Sequence, residues 1–247
     1  MKKEYDILLK AIKAANKIVF FGGAGVSTAS GIKDFRSKEG LYNLKSKYGV
    51  PYEVILSHDY FTSYPSTFFE FYRNFMINLT AKPNSCHEFL SMLENEKSVT
   101  IITQNIDGLH QLAGSKNVIE LHGSIYRNYC EKCGRMYPVD VILNSVEIPH
   151  CPVCGGIIKP DVVLYDEPLL ETNIAKALIK IQEADLLIVA GTSLRVYPAA
   201  NMINYFFGDN IFVINKEKLD IRKRVKLVMN DDIEEIFNYL KDVYHSS

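Results

Sequence analysis

Residues 17–27 read Lys-Ile-Val-Phe-Phe-Gly-Gly-Ala-Gly-Val-Ser, a short apolar run that ends in a glycine-rich turn. Continuous apolar runs of this length are typical of strands buried on both faces of a parallel sheet. Glycines directly after such a strand let the backbone turn sharply and approach a pyrophosphate, whose charge suits the start of the next helix. An ordinary strand-to-helix turn is the simpler alternative. We interpret the segment as the first strand of an α/β fold and as a candidate dinucleotide site.

This turn departs from the usual dinucleotide fingerprint. The third glycine of G-x-G-x-x-G is absent, and no second strand ends in Asp or Glu about 20 residues later. The next stretch is a polar loop with an aromatic residue, Ile32-Lys33-Asp34-Phe35-Arg36. These departures count against a dehydrogenase that transfers a hydride.

The composition limits the class of partner. The 247 residues include 28 Lys and Arg against 29 Asp and Glu, so the net charge is −1. A chain that binds nucleic acid or an anionic membrane favours a basic face, and no Lys/Arg block stands out here. The longest apolar stretch, residues 186–190, is too short to cross a bilayer, and the first residues lack the apolar segment of a signal peptide. We expect a cytoplasmic protein with neither nucleic acid nor membrane as its partner.

Apolar strands alternate with helices along most of the chain. The patterns predict strands at 17–21, 99–102, 186–190 and 211–214, and helices at 5–15, 65–79, 85–96, 173–184, after Pro198 and near the C-terminus. This alternation predicts an α/β fold with a Rossmann-like, doubly wound parallel sheet. Two stretches interrupt it, one helical and aromatic and one rich in cysteine. We therefore expect a nucleotide-binding domain of residues 1–35, 86–125 and 160–247, and a smaller helical and zinc-binding domain of residues 36–85 and 126–159.

Polar side chains follow three of the predicted strands. Gln104, Asn105 and Asp107 follow the second strand, Ser193 follows the third, and Asn215 follows the fourth. Ligands of open parallel sheets bind beyond the carboxyl ends of the strands, so we expect these residues to share one site. The amides and the carboxylate suit a ribose and a carboxamide, while Ser193 and Asn215 suit the adenosine half. The simpler alternative for residues 104–107 is an Asx turn.

Four of the five cysteines form two knuckles, Cys130-x2-Cys133 and Cys151-x2-Cys154, separated by 17 residues. This spacing is typical of four thiolates around one Zn²⁺. Because four cysteines leave no open coordination position, we expect a structural zinc ion. Cys86, the fifth, is interpreted as a small buried residue on a helix.

His122 lies between the predicted nucleotide-binding domain and the first cysteine knuckle. Any one of the six histidines is more often a structural hydrogen-bonding group than a catalyst, and His87 and His110 are interpreted in that way. A general base belongs at the junction of two domains, where a substrate can reach it. We therefore take His122 as the candidate base.

In this order the motifs resemble those of the sirtuins, the NAD-dependent protein lysine deacylases, and the likeness extends from about Lys17 to Asp232. It rests on Gly23-Ala24-Gly25-Val26-Ser27, Gly31-Ile32-x-Asp34-Phe35-Arg36, Thr103-Gln104-Asn105-Ile106-Asp107-Gly108-Leu109-His110, Leu121-His122-Gly123, the four cysteines, Gly191-Thr192-Ser193-Leu194 and Asn215.

The resemblance implies a role for each matching residue. Ala24, Thr28 and Arg36 would contact the NAD phosphates and ribose, and Gln104 would contact the nicotinamide ribose. Phe35, Ile106 and Asp107 would line the nicotinamide pocket. Ser193, Asn215 and Asp232 would hold the adenosine end, and Val163 would lie along the acyl-lysine. Asn105 and Asp107 would orient the carboxamide. His122 would take a proton from a ribose hydroxyl after the acyl oxygen has attacked the ribose. The implied products are nicotinamide, O-acetyl-ADP-ribose and free lysine.

Two positions differ from the family pattern. Tyr165-Asp166-Glu167 replaces the frequent Phe-Gly-Glu, which places an acidic residue in the segment expected to pair with the peptide. Members that remove acidic acyl groups carry Tyr-x-x-Arg, whereas here Phe75 lies three residues after Tyr72, and Arg73 is out of register. An unpaired succinyl carboxylate is costly to bury. We therefore predict acetyl or longer apolar acyl groups over succinyl.

Two other functions stay open on the sequence. The knuckles could form a zinc ribbon that binds nucleic acid or protein beside a vestigial nucleotide site, although the near-neutral charge weighs against this. The same site could instead transfer ADP-ribose to protein.

Overall fold

The computed structural model describes residues 2–33, 48–195, 197–217, 219, 221 and 223–246. The strands are β1 Lys17–Gly22, β2 Ser98–Thr103, β3 Val118–Glu120, β4 Gly123–Cys130, β5 Met136–Pro138, β6 Ile158–Val162, β7 Leu186–Ala190, β8 Ile211–Ile214 and β9 Leu227–Met229. The α-helices are α1 Lys2–Ala14, α2 Tyr52–Ile55, α3 His58–Ser63, α4 Pro65–Phe71, α5 Ser85–Leu93, α6 Leu109–Leu112, α7 Val139–Leu143, α8 Glu171–Glu183 and α9 Ile233–Tyr244. Among these described helices, none combines the length and the apolar composition needed to cross a membrane.

Six of the described strands form one parallel sheet in the order β3-β2-β1-β7-β8-β9. Strand side chains alternate between two cores: Ile18 and Phe20 lie with α1, α5 and α9, whereas Val19 and Phe21 lie with α8. Both faces are therefore covered, which confirms the doubly wound, Rossmann-like sheet. The strand order reverses between β1 and β7, so the loops after these two strands border the crevice where such sheets bind ligands.

The two outer strands were not predicted from the sequence. β3 and β9 have three residues each, and in each strand only the last residue is buried. A three-residue segment is too short to show periodicity, so its strand character comes from pairing with β2 or β8. Their short length suits the edges of the sheet.

A second core surrounds the antiparallel sheet β5-β4-β6. Aromatic residues of α3 and α4, such as Phe61 and Phe68, pack there with Ile125 and Ile158. The two interrupting stretches of the sequence thus meet in space, together with the flanking residues Ile125, Val162 and Leu164, which join the same cluster.

Two details of the predicted helices were wrong, and the structure adds the type of a third. The capping box of α5 uses Asn84 and His87 rather than Ser85 and Glu88, because the Asn84 side chain accepts from the Cys86 N–H and the Asn84 N–H bonds to the His87 ring. The helix that begins at Pro65 continues past Phe71 as a π-helix, Tyr72–Met76, and ends before Leu79. The segment after Pro198 is a 3₁₀ helix, Ala199–Tyr205.

Candidate active site

The loops that follow β1 and β7 lie backbone against backbone. The Gly25 N–H donates to the Gly191 carbonyl at 2.8 Å, and the Gly23 N–H donates to the Ala190 carbonyl at 3.2 Å. Gly191 has a φ of +58°, and a Cβ placed on it would lie 2.4 Å from the Val26 nitrogen. Only glycine permits this approach. The glycines thus bring the predicted phosphate loop against the sheet at the strand-order reversal, with Ala24 partly exposed and Thr28 exposed.

A buried hydrogen-bond network joins this loop to the loop after β2. Asn105 Nδ2 donates to the Gly23 carbonyl at 3.1 Å and to Ser27 Oγ at 3.0 Å, and Ser27 Oγ donates to Asp107 Oδ2 at 2.7 Å. Asp107 Oδ1 accepts from the Leu109 N–H at 2.9 Å. No separate role was predicted for Ser27, yet its hydroxyl connects the two polar residues of the Asn-Ile-Asp motif.

Burial raises the pKa of Asp107, and the hydrogen bonds from the Leu109 N–H and Ser27 offset part of that rise. Both carboxylate oxygens are thus held by groups of the protein. Ile106 lies between the two polar residues, half-buried, and its carbonyl accepts from the Ile125 N–H at 3.0 Å. Residues 105–107 are therefore tied by hydrogen bonds to the glycine loop on one side and to β4 on the other.

Among the residues that the structure describes, one hydrogen bond holds the His122 ring. Its Nδ1 lies 2.8 Å from the Gln104 carbonyl oxygen, which can only accept, so Nδ1 carries the proton and Nε2 keeps its lone pair. Burial lowers the pKa of His122, and the Gln104 carbonyl opposes that change in part. The ring is therefore neutral at pH 7 and can accept a proton at Nε2, as a general base must.

Gln104 and Val163 border the same histidine. Gln104 Nε2 donates to Thr192 Oγ1 at 3.2 Å, which links the loop after β2 to the loop after β7. The Val163 N–H donates to the His122 carbonyl at 3.0 Å, so the segment after β6 lies directly beside the candidate base. The structure thus brings Gln104, His122 and Val163 together.

The predicted adenosine residues lie at the far side of the crevice. Asn215 follows β8, donates from Nδ2 to the Glu217 carbonyl at 2.7 Å, and is largely buried. Ser193 follows the neighbouring β7 and is half-buried. Asp232 caps α9 and pairs with Lys216 at 3.0 Å, which lowers the pKa of that carboxyl. Phe35 and Arg36 lie outside the described residues.

The four knuckle cysteines form one cluster. All four Sγ atoms lie within 4.8 Å of one another, with Cys130–Cys154 at 3.3 Å and Cys133–Cys151 at 3.7 Å. Four sulfurs at the usual Zn–S distance in a tetrahedron are about 3.8 Å apart. The donor set and its spacing therefore fit a structural Zn²⁺ ion, which Cys130, Cys133, Cys151 and Cys154 would hold.

Asn84 supports the phosphate loop from behind, a role that the sequence analysis missed. It is buried, and its Nδ2 donates to the Val26 carbonyl at 2.8 Å and to Ser30 Oγ at 3.0 Å. A Pro-Asn pair before a predicted helix was the available signal. Its capping partner His87 is fully buried against His110, with ring centroids 4.5 Å apart.

This buried pair predicts acid sensitivity. Burial lowers the pKa of His87 to about 4 and that of His110 well below its usual value. In the unfolded chain both rings titrate near 6.5, so between pH 6.5 and 4 the unfolded state binds more protons, and stability falls as the pH falls. His87 alone contributes about 3 kcal/mol over this window. We expect the free energy of unfolding, measured by chemical denaturation, to fall less between pH 7 and pH 4 in His87→Gln than in the wild type. Glutamine is chosen because it keeps a side-chain acceptor for the helix cap.

A matched control is His245→Gln, because His245 is exposed near the C-terminus. Its pH dependence should follow that of the wild type. If His87→Gln also follows the wild type, His87 does not carry the acid sensitivity.

Comparisons with known proteins show which family this chain is similar to. A model of the Sir2 family matches residues 23–198. An NAD-dependent protein deacetylase of Clostridium tetani is 54% identical over 231 residues, which cover 93% of this chain and 94% of that protein. One of Clostridium perfringens is 50% identical over 244 residues, which cover 98% and 100%.

Solved structures show the same likeness. Sir2 with a p53 peptide and NAD+ superposes with a TM-score of 0.86 at 34% identity, covering 98% of both chains. Sir2Tm bound to a propionylated peptide gives a TM-score of 0.85 at 34% identity, covering 99% of this chain and 100% of that chain. The family model spans most of the chain, and the relatives match it almost end to end. This chain therefore belongs to the Sir2 family.

Proposed function

We propose that this chain is an NAD-dependent protein lysine deacetylase that yields nicotinamide, O-acetyl-ADP-ribose and free lysine. The relatives are named for this activity, and solved Sir2 structures hold a p53 peptide with NAD+, a propionylated peptide or an acetylated peptide. The observation that carries the proposal is the 2.8 Å contact between His122 Nδ1 and the Gln104 carbonyl, which places the proton on Nδ1 and leaves the Nε2 lone pair available. A neutral imidazole fixed at the junction of two cores is suited to take a proton from a hydroxyl.

NAD, when bound, supplies the leaving nicotinamide and the ribose that accepts the acyl group. Within this chain, Ala24, Thr28 and Arg36 hold the phosphate region, Phe35, Ile106 and Asp107 form the nicotinamide pocket, Gln104 holds the ribose, and Ser193, Asn215 and Asp232 hold the adenosine end. Asn105 orients the carboxamide. Its own amide is fixed by the Gly23 carbonyl and Ser27, which avoids reorganisation when a polar ligand enters.

His122 takes the proton that must leave a ribose hydroxyl. Burial keeps its pKa low, so the ring enters the reaction uncharged. Val163 lies beside it on the segment that follows β6, and its half-buried side chain suits the methylene stem of a neutral acyl-lysine. The base and the substrate segment are thus joined by one backbone hydrogen bond.

The zinc ion stabilises the smaller domain and takes no part in the chemistry, since four thiolates complete its coordination. We assign residues 36–85 and 126–159 to that domain, and residues 1–35, 86–125 and 160–247 to the NAD-binding domain, which the separate cores support. Thiolates in this number persist in a reducing compartment, which supports a cytoplasmic enzyme. Acyl-lysine proteins or peptides are its partners, and the charge balance argues against nucleic acid and membranes.

Acetyl-lysine and propionyl-lysine peptides should react faster than a succinyl-lysine peptide. Tyr72 is fully buried and stacked on Phe68, while the Arg73 guanidinium donates to the carbonyls of Ile142, Val146 and Glu147. Arg73 is therefore committed elsewhere and unsuited to pair with a succinyl carboxylate. The test incubates peptides of one sequence that differ only in the acyl group with NAD and measures product masses.

The product masses separate the candidate functions. O-acetyl-ADP-ribose with free lysine supports the deacetylase. ADP-ribosylated protein without acyl loss supports a transferase instead, and no NAD-dependent product supports a binding module. A faster reaction with succinyl-lysine overturns the acyl preference alone.

A further inference from the structure

Lys159 is a buried cation outside the residues assigned above. It lies near the start of β6 with 3% of its surface exposed. Its Nζ donates to the Val162 carbonyl at 3.0 Å and to Glu167 Oε2 at 3.1 Å, and the rings of Phe61 and Tyr129 lie within 6.0 Å. A lysine is rarely buried unless it is paired, so this ammonium has a defined set of partners.

Glu167 is the second half of this pair and gathers three donors. Its Oε2 also accepts from the Leu164 N–H at 2.9 Å, and its Oε1 lies 2.9 Å from His58 Nδ1 at the start of α3. Burial favours the neutral acid, but the Leu164 N–H, His58 and Lys159 together hold the pKa of Glu167 below its usual value. The carboxylate is therefore charged at pH 7.

Together the two side chains clasp the backbone on both sides of Val163. Lys159 holds the carbonyl of the residue before it, and Glu167 holds the N–H of the residue after it. Between these two points the Val163 N–H donates to the His122 carbonyl. The next residues are anchored as well, since Tyr165 exchanges backbone hydrogen bonds with Leu56 and His58.

We infer that Lys159 and Glu167 are positioning residues. They hold the backbone of residues 162–164 against His122 in the conformation that binds the peptide substrate. The inference rests on the proposed function, because Val163 is placed beside the acyl-lysine there. A buried ion pair adds little net stability compared with well-packed apolar side chains. Its directional bonds instead fix backbone groups, and both of the groups fixed here flank the substrate residue.

The test compares K159M with K180M, which removes the lysine of the exposed Lys180–Glu183 pair. For each variant, peptide affinity is measured by fluorescence anisotropy with a labelled acetyl-lysine peptide and no NAD. The KM values for peptide and for NAD, kcat and Tm are measured in parallel. Loss of a hydrogen bond to a charged group corresponds to about a 10-fold effect, so K159M should weaken peptide binding and raise the peptide KM by that factor. The NAD KM should stay near the wild-type value, and K180M should match the wild type throughout.

The inference is overturned if folded K159M binds and uses peptide like the wild type. It is also overturned if the KM values for peptide and NAD rise together, because that indicates general loosening. Should K159M fail to fold, E167Q provides the same measurements, since it removes the charge and keeps the side-chain shape. If the wild-type protein shows no deacetylase activity, the proposed function is refuted. The affinity for peptide measured without NAD still tests whether Lys159 and Glu167 position residues 162–164.

Discussion

Replacement of His122 by alanine is expected to lower kcat for deacetylation by about 10²–10⁴-fold, the usual contribution of a positioned general base. The variant loses the imidazole whose Nε2 lone pair can accept a proton, because its Nδ1 donates to the Gln104 carbonyl. The fold should survive, because His122 is half-buried and its backbone bond to Val163 does not depend on the side chain. Steady-state rates with saturating peptide and NAD measure the effect, and the melting temperature checks the fold.

The dependence of the deacetylation rate on pH is an independent test of the role of His122. Since burial lowers the pKa of His122, the wild-type rate should begin to fall only below pH 6.5, where the imidazole takes up a proton and stops acting as a base. His245→Gln serves as a control, because that exposed ring lies near the C-terminus beside Glu96 and Tyr244. An alanine variant that keeps full activity, or a wild-type acid limb well above pH 6.5, contradicts the assigned role.

The sheet was predictable wherever a strand is long and buried on both faces. β1, β2, β7 and β8 show continuous apolar runs, and each was located from the sequence within one or two residues. β3 and β9 were not predicted, because a segment of three residues is too short to show a hydrophobic period. Each is a strand because it pairs with a neighbouring strand. The Asn84 cap was assigned one residue too late, since the sequence spacing of Ser85 and Glu88 fits the capping pattern as well.

The candidate site was predictable as a set of residues but not as a mechanism. Polar residues after parallel strands had to meet at one edge, and the structure brings Gln104 and Asn105 to the glycine loops. The tautomer of His122 depends on a carbonyl 18 positions earlier in the chain, and no local pattern encodes that contact. The Lys159–Glu167 pair was not predicted either, since no local pattern encodes the contact between these two side chains. A lysine near a strand usually indicates a solvated position.

Loss of the zinc-binding thiolates is expected to unfold the smaller domain. Cys130 and Cys151 are themselves core residues beside Ile142 and Ile158, so removing the metal takes away the ion that holds the two knuckles together against that cluster. A structural zinc ion contributes about 10–16 kcal/mol of apparent binding free energy, which matches or exceeds the whole stability of a typical domain. Cys133→Ala, or a strong chelator, should therefore remove the zinc and lower Tm or abolish the transition of this region.

The experiment combines metal analysis with calorimetry and limited proteolysis. Cys86→Ala is the matched control, because Cys86 is buried in the other core and its loss should leave one zinc per chain. Early cleavage within residues 123–162 is expected for Cys133→Ala and not for Cys86→Ala. Because β6 leads directly into Val163 and the clasp formed by Lys159 and Glu167, the zinc-free protein should also lose peptide binding. A chain that has released its zinc and yet melts, resists protease and binds peptide like the wild type is inconsistent with a structural metal.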